Sequence, residues 1–175
     1  MNKKLKLEEL KRVSISEYKL LRKNRIVVVL DNIRSLHNIG SFFRTCDAFA
    51  IEKIILTGIT AQPPHKEIQK TALGATESVN WSYEKDALDT LSNYRKEGYK
   101  ICGVEQTVKS KSLNNFTYNN EPMVLIFGNE VEGVSQSIID CCDESIEIPQ
   151  FGTKHSLNVS VSCGIVLWTL INQVS

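Results

Sequence analysis

The stretch that decides the fold is Val124-Leu125-Ile126-Phe127-Gly128-Asn129-Glu130-Val131-Glu132-Gly133, an apolar run that ends in a glycine-containing polar loop. A second stretch repeats this order, as Ile146-Glu147-Ile148-Pro149 runs into Gln150-Phe151-Gly152-Thr153-Lys154-His155. Apolar runs of this kind are typical of parallel strands, whose carboxyl ends carry the ligand-binding loops of an open α/β sheet. The sequence therefore predicts that the functional site lies at these two loops.

Strand-like and helix-like segments alternate along the rest of the chain. Apolar runs predict strands over residues 26–30, 53–57, 99–104, 123–127 and 146–148. Apolar spacing and glycine stops predict helices over residues 39–50, 65–73, 86–96, 134–142 and 157–172. Residues 79–83 are also strand-like, but the pattern does not assign them a place in a sheet. Such alternation is typical of a parallel sheet with helices on both faces, so we predict one parallel-sheet α/β domain over residues 26–175.

Residues 1–25 form a basic N-terminal arm, with nine Lys or Arg against three Asp or Glu, a balance of +6. The remaining 150 residues hold twelve against seventeen, a balance of −5. The arm is predicted to contain two short helical segments, the second over residues 17–23 with Ser16 as its cap. This asymmetry favours a polyanionic partner such as nucleic acid. From charge alone, a solvated surface helix fits the arm equally well.

Composition excludes several classes of protein. No run of about 18 apolar residues is present, so no membrane span is predicted. The Lys-rich start has no apolar core behind it and is not typical of a secretory signal, so we expect a cytoplasmic protein. The five cysteines form no C-x-x-C pair and the three histidines show no metal-ligand spacing, so no metal site is predicted.

The polar loops exclude further chemistry. Gly128 to Gly133 has the glycine spacing of a phosphate-binding loop, but Val134-Ser135 follow where that loop requires Lys and then Ser or Thr. With Glu130 and Glu132 inside it, the loop suits a ligand with positive or hydroxyl-donor character. The first strand leads into Asp31-Asn32 rather than a dinucleotide fingerprint, so dehydrogenase chemistry is not predicted. No G-x-S-x-G is present, so the sequence has no nucleophilic serine motif of that type.

Three polar residues near the helix starts have more than one interpretation. Asn38 is predicted to cap the helix 39–50. Ser156 either caps the C-terminal helix or takes a catalytic role. His155 is adjacent to Ser156 and is the histidine that we single out, although loop histidines of this kind are more often polar surface or capping groups.

Three segments follow one another at domain-scale spacing: Asn38-Ile39-Gly40 with Arg44 and Ala48-Phe49; Phe127 to Gly133; and Ile148-Pro149 with Gly152 and Ser156 to Val161. In this order they resemble the motifs of the SpoU (TrmH-like) class of SPOUT RNA 2′-O-ribose methyltransferases. The resemblance covers nearly the whole chain after the arm. It implies a SPOUT domain whose C-terminal segment forms a deep trefoil knot, an exception to the rule against threaded chains. It also implies an obligate homodimer.

The resemblance implies S-adenosylmethionine as the cofactor, bound in the knotted loops and largely through backbone groups. The cofactor-binding positions that it implies are Val104, Glu105, Gly128, Ile148 and Leu157. By pattern alone, Ile148 and Leu157 are core residues, and only the resemblance makes them neighbours of a ligand.

The same resemblance implies that Arg44, Asn38, Glu130, Ser156 and Asn158 are the catalytic residues. In the family, the arginine is given the role of deprotonating the ribose hydroxyl. A guanidinium, however, has a pKa above about 12 and is a poor base. We expect Arg44 to hold the neighbouring RNA phosphate through a bidentate contact and to lower the pKa of the hydroxyl. Asn38 and Asn158 suit orientation of a ribose or of the arginine, and Glu130 is placed to hold Arg44 or Asn38.

The substrate is predicted less directly. With only a short arm beyond the implied catalytic core, a compact and exposed target such as a tRNA loop is favoured over ribosomal RNA. The alternative of another class is a non-catalytic RNA-binding or cofactor-binding module, which the presence of Arg44, Glu130 and Asn158 disfavours.

Overall fold

The computed structural model describes residues 1–174, in which one parallel sheet is covered by helices on both faces. The strand bounds are β1 Asn24–Asp31, β2 Ile51–Thr57, β3 Trp81–Glu84, β4 Lys100–Val104, β5 Lys111–Ser112, β6 Met123–Phe127 and β7 Glu144–Glu147. The strands lie in the order β3-β2-β1-β6-β4-β7-β5 and pair in parallel throughout. The predicted parallel-sheet α/β class is confirmed, and the strand-like run 79–83 becomes an edge strand.

Seven α-helices connect these strands within the described residues. Their bounds are α1 Ile15–Leu20, α2 Leu36–Ala48, α3 Lys66–Ala72, α4 Ala75–Ser78, α5 Ala87–Lys96, α6 Gln136–Cys141 and α7 Val159–Asn172. Short 3₁₀ turns cover Leu7–Leu10 and Leu113–Asn115. None of the helices in residues 1–174 has the length and apolar character that a bilayer span requires.

Alternation along β1 explains why both faces of the sheet are covered. Ile26, Val28 and Leu30 contribute to a core cluster that includes residues of α2, α3, α4 and α7. Val27 and Val29 point the other way, into a smaller cluster with residues of α5 and α6. Because every residue from 26 to 31 is buried, β1 reads in sequence as a continuous apolar run rather than an alternating one.

Three helix caps differ from the prediction. Ser35, not Asn38, caps α2, since the Ser35 hydroxyl accepts the Asn38 backbone N–H at 3.2 Å. Asn158, not Ser156, caps α7, and its Oδ1 accepts the N–H groups of Ser160 and Val161. In the arm, Ser14 rather than Ser16 caps the short helix α1, in a reciprocal capping box with Glu17.

Two element bounds also differ for physical reasons. The helix predicted from Val134 begins at Gln136, because the Val134 and Ser135 N–H groups are bound by the carboxylates of Glu105 and Asp31. The strand predicted over 146–148 instead covers Glu144–Glu147, where Glu144 pairs with Cys102 of β4. It ends before Pro149, which has no N–H to continue the ladder.

The arm is partly docked on the body. Tyr18 of α1 is buried, and its hydroxyl donates to the Cys46 carbonyl of α2 at 3.5 Å. Burial raises the pKa of this phenol well above its usual value. Most of the arm's basic side chains remain exposed.

The contact between α2 and α3 depends on Gly40. A Cβ at this position would overlap the Thr71 hydroxyl and the Ile68 carbonyl oxygen of α3. The Thr71 hydroxyl also donates to the His37 carbonyl at 2.9 Å, so α3 lies directly against the first turns of α2.

We predict that Gly40→Ala lowers the free energy of unfolding by about 1–3 kcal/mol, as overpacking typically does, despite the better helix propensity of alanine. Urea unfolding at one fixed protein concentration would measure the change. Ser41→Ala, on the neighbouring position of α2, is the control and should stay within about 0.5 kcal/mol of wild type. Equal stabilities for Gly40→Ala and wild type would contradict the close α2–α3 packing.

Candidate active site

A cavity of about 630 Å³ opens at the carboxyl ends of β4, β6 and β7. Its walls come from residues 104–106, 127–133, 146–148 and both ends of the loop between β7 and α7. The volume is in the range of small-molecule sites. The two loops that the sequence singles out therefore meet at one cavity, as predicted.

All five predicted cofactor positions line this cavity: Val104, Glu105, Gly128, Ile148 and Leu157. The wall thus combines apolar side chains with the carboxyl-bearing residues Glu105, Glu130, Glu132 and Glu147. Among the residues that the structure describes, neither Lys nor Arg lines it. The cavity is suited to a ligand with an apolar ring and a positively charged group.

The glycine spacing of the 128–133 loop has a steric cause. A Cβ at Gly128 would overlap the backbone of Gly133 and Val134, and Gly133 has a left-handed φ of 71°. The loop is closed by mutual backbone hydrogen bonds between Asn129 and Gly133, at 3.0 and 2.9 Å. The Asn129 side chain adds a bond from Nδ2 to the Asn32 carbonyl at 2.8 Å. The glycines thus allow a tight turn, not a phosphate cradle.

Glu105 supports this turn from β4. Its Oε2 accepts the Val134 N–H at 2.9 Å, and its Oε1 accepts the Gln106 N–H at 2.8 Å. The carboxylate is therefore occupied by backbone donors, and it forms part of the cavity wall while it fixes the end of the 128–133 loop.

Two supporting residues were missed in the sequence. Buried Asp31 accepts the Ser135 N–H at 3.1 Å, which ties the end of β1 to the start of α6. The Gln106 side chain donates to the His155 carbonyl at 2.8 Å, which ties the end of β4 to the loop before α7. The only sequence signal for either was a polar side chain at or just beyond the end of an apolar run.

Glu130 connects the 128–133 loop to the start of α2. Its carboxylate accepts the backbone N–H groups of Arg34 at 2.9 Å and Ser35 at 3.0 Å, and the Asn38 side-chain amide at 2.9 Å. Partial burial acts to raise the pKa of Glu130, but the hydrogen bonds from Arg34, Asn38 and Ser35 outweigh it, so the pKa lies below the usual value. Glu130 is therefore ionised at neutral pH.

Asn38 passes the connection on to α7. Its Oδ1 accepts the Asn158 side-chain amide at 3.1 Å and lies 3.4 Å from the donating Ser160 hydroxyl. Since Asn158 also caps α7, a continuous chain Glu130–Asn38–Asn158 joins the loops after β1 and β6 to the start of α7. The structure thus brings together three of the five predicted catalytic residues. Of the two predicted partners of Glu130, Arg44 or Asn38, it is Asn38 that Glu130 holds.

Ser156 and His155 also line the cavity. The Ser156 hydroxyl makes no hydrogen bond to any residue in 1–174, whereas His155 is held through its carbonyl by Gln106. No cluster of three or more His, Cys, Asp or Glu side chains suited to a metal occurs in the described part of the chain.

Asn38 and Arg44 are the two predicted site residues that do not line the cavity. Asn38 is joined to the cavity wall by bonds to Glu130 and Asn158, so Arg44 is the one that a single chain leaves apart from the site. It is exposed on α2, about 9 Å along the helix axis from Asn38, and it is not part of the cavity wall. Within residues 1–174 its guanidinium has neither a hydrogen bond nor an ion pair. The other alternative for Glu130, a contact with Arg44, is therefore absent.

Helices α2 and α7 run side by side in the same direction. Asn38, in the first turn of α2, contacts the α7 cap Asn158, and Phe49, just after α2, packs edge-on against Trp168 near the end of α7. Trp168 remains 62% exposed and Val161 51% exposed. The outer side of α7 is thus apolar, and Arg44 lies on the helix beside it.

Comparison with known proteins gives consistent matches. A tRNA (guanosine(18)-2′-O)-methyltransferase of Aquifex aeolicus is 32% identical over 87% of this chain and 71% of its own length. The crystal structure of the A. aeolicus TrmH/SpoU tRNA modifying enzyme superposes with a TM-score of 0.80 at 28% identity, over 91% of this chain and 81% of that one. An AdoMet-bound rRNA methyltransferase from Sinorhizobium meliloti gives 0.81 at 25% identity, over 90% of this chain and 60% of that one.

The model of the SpoU rRNA methylase family matches residues 25–168, which include the cavity and the Glu130–Asn38–Asn158 chain. This match starts where the basic arm ends and confirms the predicted resemblance. The chain belongs to the SpoU rRNA methylase family.

Proposed function

We propose that this protein transfers a methyl group from S-adenosylmethionine to the ribose 2′-hydroxyl of an RNA. The observation that carries the proposal is the single cavity between the 128–133 loop and the β7–α7 loop, bordered by the Glu130–Asn38–Asn158 chain. Relatives with the same fold are named as RNA 2′-O-methyltransferases, and one has AdoMet bound.

The cavity fits this cofactor by the chemistry of its wall. Val104, Ile148 and Leu157 offer apolar surface to an adenine ring, and backbone groups at the strand ends offer hydrogen bonds. The nearby carboxylates favour the cationic amine and sulfonium of the molecule. When bound, S-adenosylmethionine supplies an electrophilic methyl group.

Positioning is the main contribution that we assign to the protein. Asn38 and Asn158 present amide groups beside the cavity and orient the ribose, while Glu130 fixes Asn38 through an ionised carboxylate. Ser156 has an unpartnered hydroxyl on the cavity wall and is available to the substrate. In-line alignment of this kind can account for much of a methyl-transfer rate.

Arg44 acts on the RNA phosphate in this proposal. A bidentate guanidinium contact with the phosphate next to the target ribose lowers the pKa of the 2′-hydroxyl, and a phosphate oxygen or water takes the proton. Arg44 lacks any partner in a single chain, so it is available for such a contact.

In this proposal, a homodimer brings Arg44 to a cavity, which a single chain does not. The exposed side of α7, with Val161 and Trp168 two turns apart, is an apolar face of a kind that is usually buried. Two copies packed on this face about a two-fold axis, with their α7 helices antiparallel, would bring the later half of α2 toward the cavity of the other copy. Arg44 of each copy then works at the site of its partner.

The remaining family features stay predictions. The trefoil knot of the C-terminal segment is one, and the division into an arm over 1–25 and a SPOUT domain over 26–175 is another. We favour tRNA over ribosomal RNA because the A. aeolicus relative that is 32% identical, and whose length this chain covers to 71%, is named as a tRNA methyltransferase. We favour a cytoplasmic location because all five cysteines are free thiols. A non-catalytic RNA-binding or cofactor-binding module is the alternative from another class.

The first prediction is that the protein binds S-adenosylmethionine and transfers its methyl group to RNA. Isothermal titration calorimetry measures cofactor binding, and transfer of labelled methyl to unfractionated tRNA or ribosomal RNA measures turnover. Mapping of the labelled nucleotide then identifies the substrate. Binding without transfer to either RNA would favour the non-catalytic module.

The second prediction concerns Arg44→Lys, which keeps the charge but loses the bidentate geometry. We expect kcat to fall by about 10- to 100-fold with cofactor affinity unchanged, because loss of alignment at a reacting centre costs about this much. Arg95→Lys, on α5 at the opposite face, is the matched control and should retain wild-type kcat. Near wild-type activity of Arg44→Lys would contradict the phosphate role.

The third prediction concerns Glu130→Gln. Glutamine keeps one acceptor oxygen and places an NH2 group against either the Arg34 N–H or the Ser35 N–H and Asn38 amide. Either orientation leaves at least one of these donors without its acceptor, so the start of α2 and Asn38 should be held less firmly and activity should fall by about 10- to 100-fold. Glu97→Gln, at the exposed end of α5, is the control. An active Glu130→Gln enzyme would show that the Glu130–Asn38 bond does not position the site.

The same variant has a pH signature. The folded-state pKa of Glu130 is below its ordinary value of 4.5, so the ionised group stabilises the fold above pH 4.5. This contribution is lost as the pH falls through the lowered pKa. The stability of Glu130→Gln should therefore decline less than that of wild type in this acidic range.

A further inference from the structure

The loop between β7 and α7 has an exposed tip formed by residues 151–154. Gln150 before the tip and His155 after it both line the cavity, whereas the tip itself does not. His155 is fixed by Gln106, and Asn158 is fixed as the cap of α7. The tip thus projects between Gln150 and His155 at the mouth of the cavity, and the chain that follows it is anchored at His155 and Asn158.

The side chains of the tip make no hydrogen bond to the rest of the described chain. Phe151 is 95% exposed, and none of residues 151–154 takes part in a hydrogen bond with the rest of the described chain. A Cβ added at Gly152 would meet nothing within 4 Å, so the space around the tip is open. Because the Phe151 ring buries almost nothing within the chain, a partner that covered it would gain the free energy of removing that apolar surface from water.

The charge of the tip is also distinctive. Lys154 is the sole Lys or Arg between residue 112 and the end of the sequence, and it lies three residues from Phe151. The cavity wall holds four glutamates and, within residues 1–174, neither Lys nor Arg. A polyanion whose ribose enters this acidic cavity must therefore keep its phosphates at the rim, where Lys154 lies.

We propose that the tip is an RNA-contacting surface, in which Phe151 stacks on an unpaired base next to the target nucleotide and Lys154 binds an adjacent phosphate. This inference rests on the proposed function and adds to it that the substrate is read as single-stranded RNA. Aromatic stacking with a nearby cation is the general way in which proteins hold unpaired bases. A paired stem would offer Phe151 no open base face.

The test compares three substitutions of Phe151 by fluorescence anisotropy with a labelled RNA hairpin that has an unpaired loop. Phe151→Ala and Phe151→Leu should weaken binding by about 5- to 100-fold, because both remove the flat π face. Phe151→Trp keeps that face and should bind within about threefold of wild type. The same stem as a blunt duplex should show no difference among the variants.

Lys154→Gln tests the phosphate contact separately. Loss of one contact with single-stranded RNA should reduce the slope of log affinity against log salt by about 0.7. Val108→Ala and Lys109→Gln are the matched controls, because they alter an exposed apolar residue and an exposed lysine on the loop after β4. Both should leave hairpin binding and its salt dependence unchanged.

Four outcomes would overturn the inference. Unchanged hairpin binding by Phe151→Ala, or no hairpin binding by wild type, removes the RNA contact. Cofactor affinity that falls as much as RNA affinity would assign Phe151 to the cofactor, and a shifted dimer equilibrium in analytical ultracentrifugation with RNA affinity retained would assign it to a second copy. The proposed function fails separately, when wild type transfers no labelled methyl to RNA.

Discussion

The carboxylate of Glu130 links parts of the chain that are more than ninety residues apart in sequence, and the geometry of the site depends on it. It accepts two backbone N–H groups at the start of α2 and the Asn38 amide, while its own backbone belongs to the turn after β6. The hydrogen bonds keep it ionised, and a charged acceptor bonds more strongly than a neutral one. If this carboxylate were neutral, the start of α2 would be held to the β6 turn less firmly.

Supporting contacts around Glu130 hold the turn itself in place. Gly128 and Gly133 let the backbone close on itself, Glu105 fixes the end of the turn, and Asp31 fixes the start of the following helix. The carboxylates of Glu105 and Asp31 accept backbone N–H groups, so they shape the cavity without needing to bind a ligand. Preorganised support of this kind is what positioning-based catalysis requires.

The fold was predictable from local signals because the central strands are buried on both faces. The runs 26–30 and 123–127 are apolar throughout, and a run of that kind has few alternatives in an α/β pattern. The caps were less predictable, since Ser35 and Asn38, or Ser156 and Asn158, are equally capable acceptors at nearly the same place. Only the path of the backbone selects between them.

The site residues also differ in how far the sequence predicts them. The carboxylate and amides of Glu130, Asn38 and Asn158 follow from the family motifs, and the structure joins them by hydrogen bonds. Gln106 and Asp31 could not be predicted, because their partners are 49 and 104 residues away and no local pattern marks them. The surroundings of Arg44 could not be predicted either, since a single chain gives it no partner.

The pairing of β1 with β6 has a consequence for synthesis of the chain. Residues 24–31 lie between β2, which follows shortly, and β6, which is made about ninety residues later. Until residue 127 has left the ribosome, one edge of the first strand has no neighbour and the face that later receives α7 is open. Non-local parallel pairing of this kind closes slowly, so the nascent protein passes through a stage in which this strand edge and this apolar face are exposed.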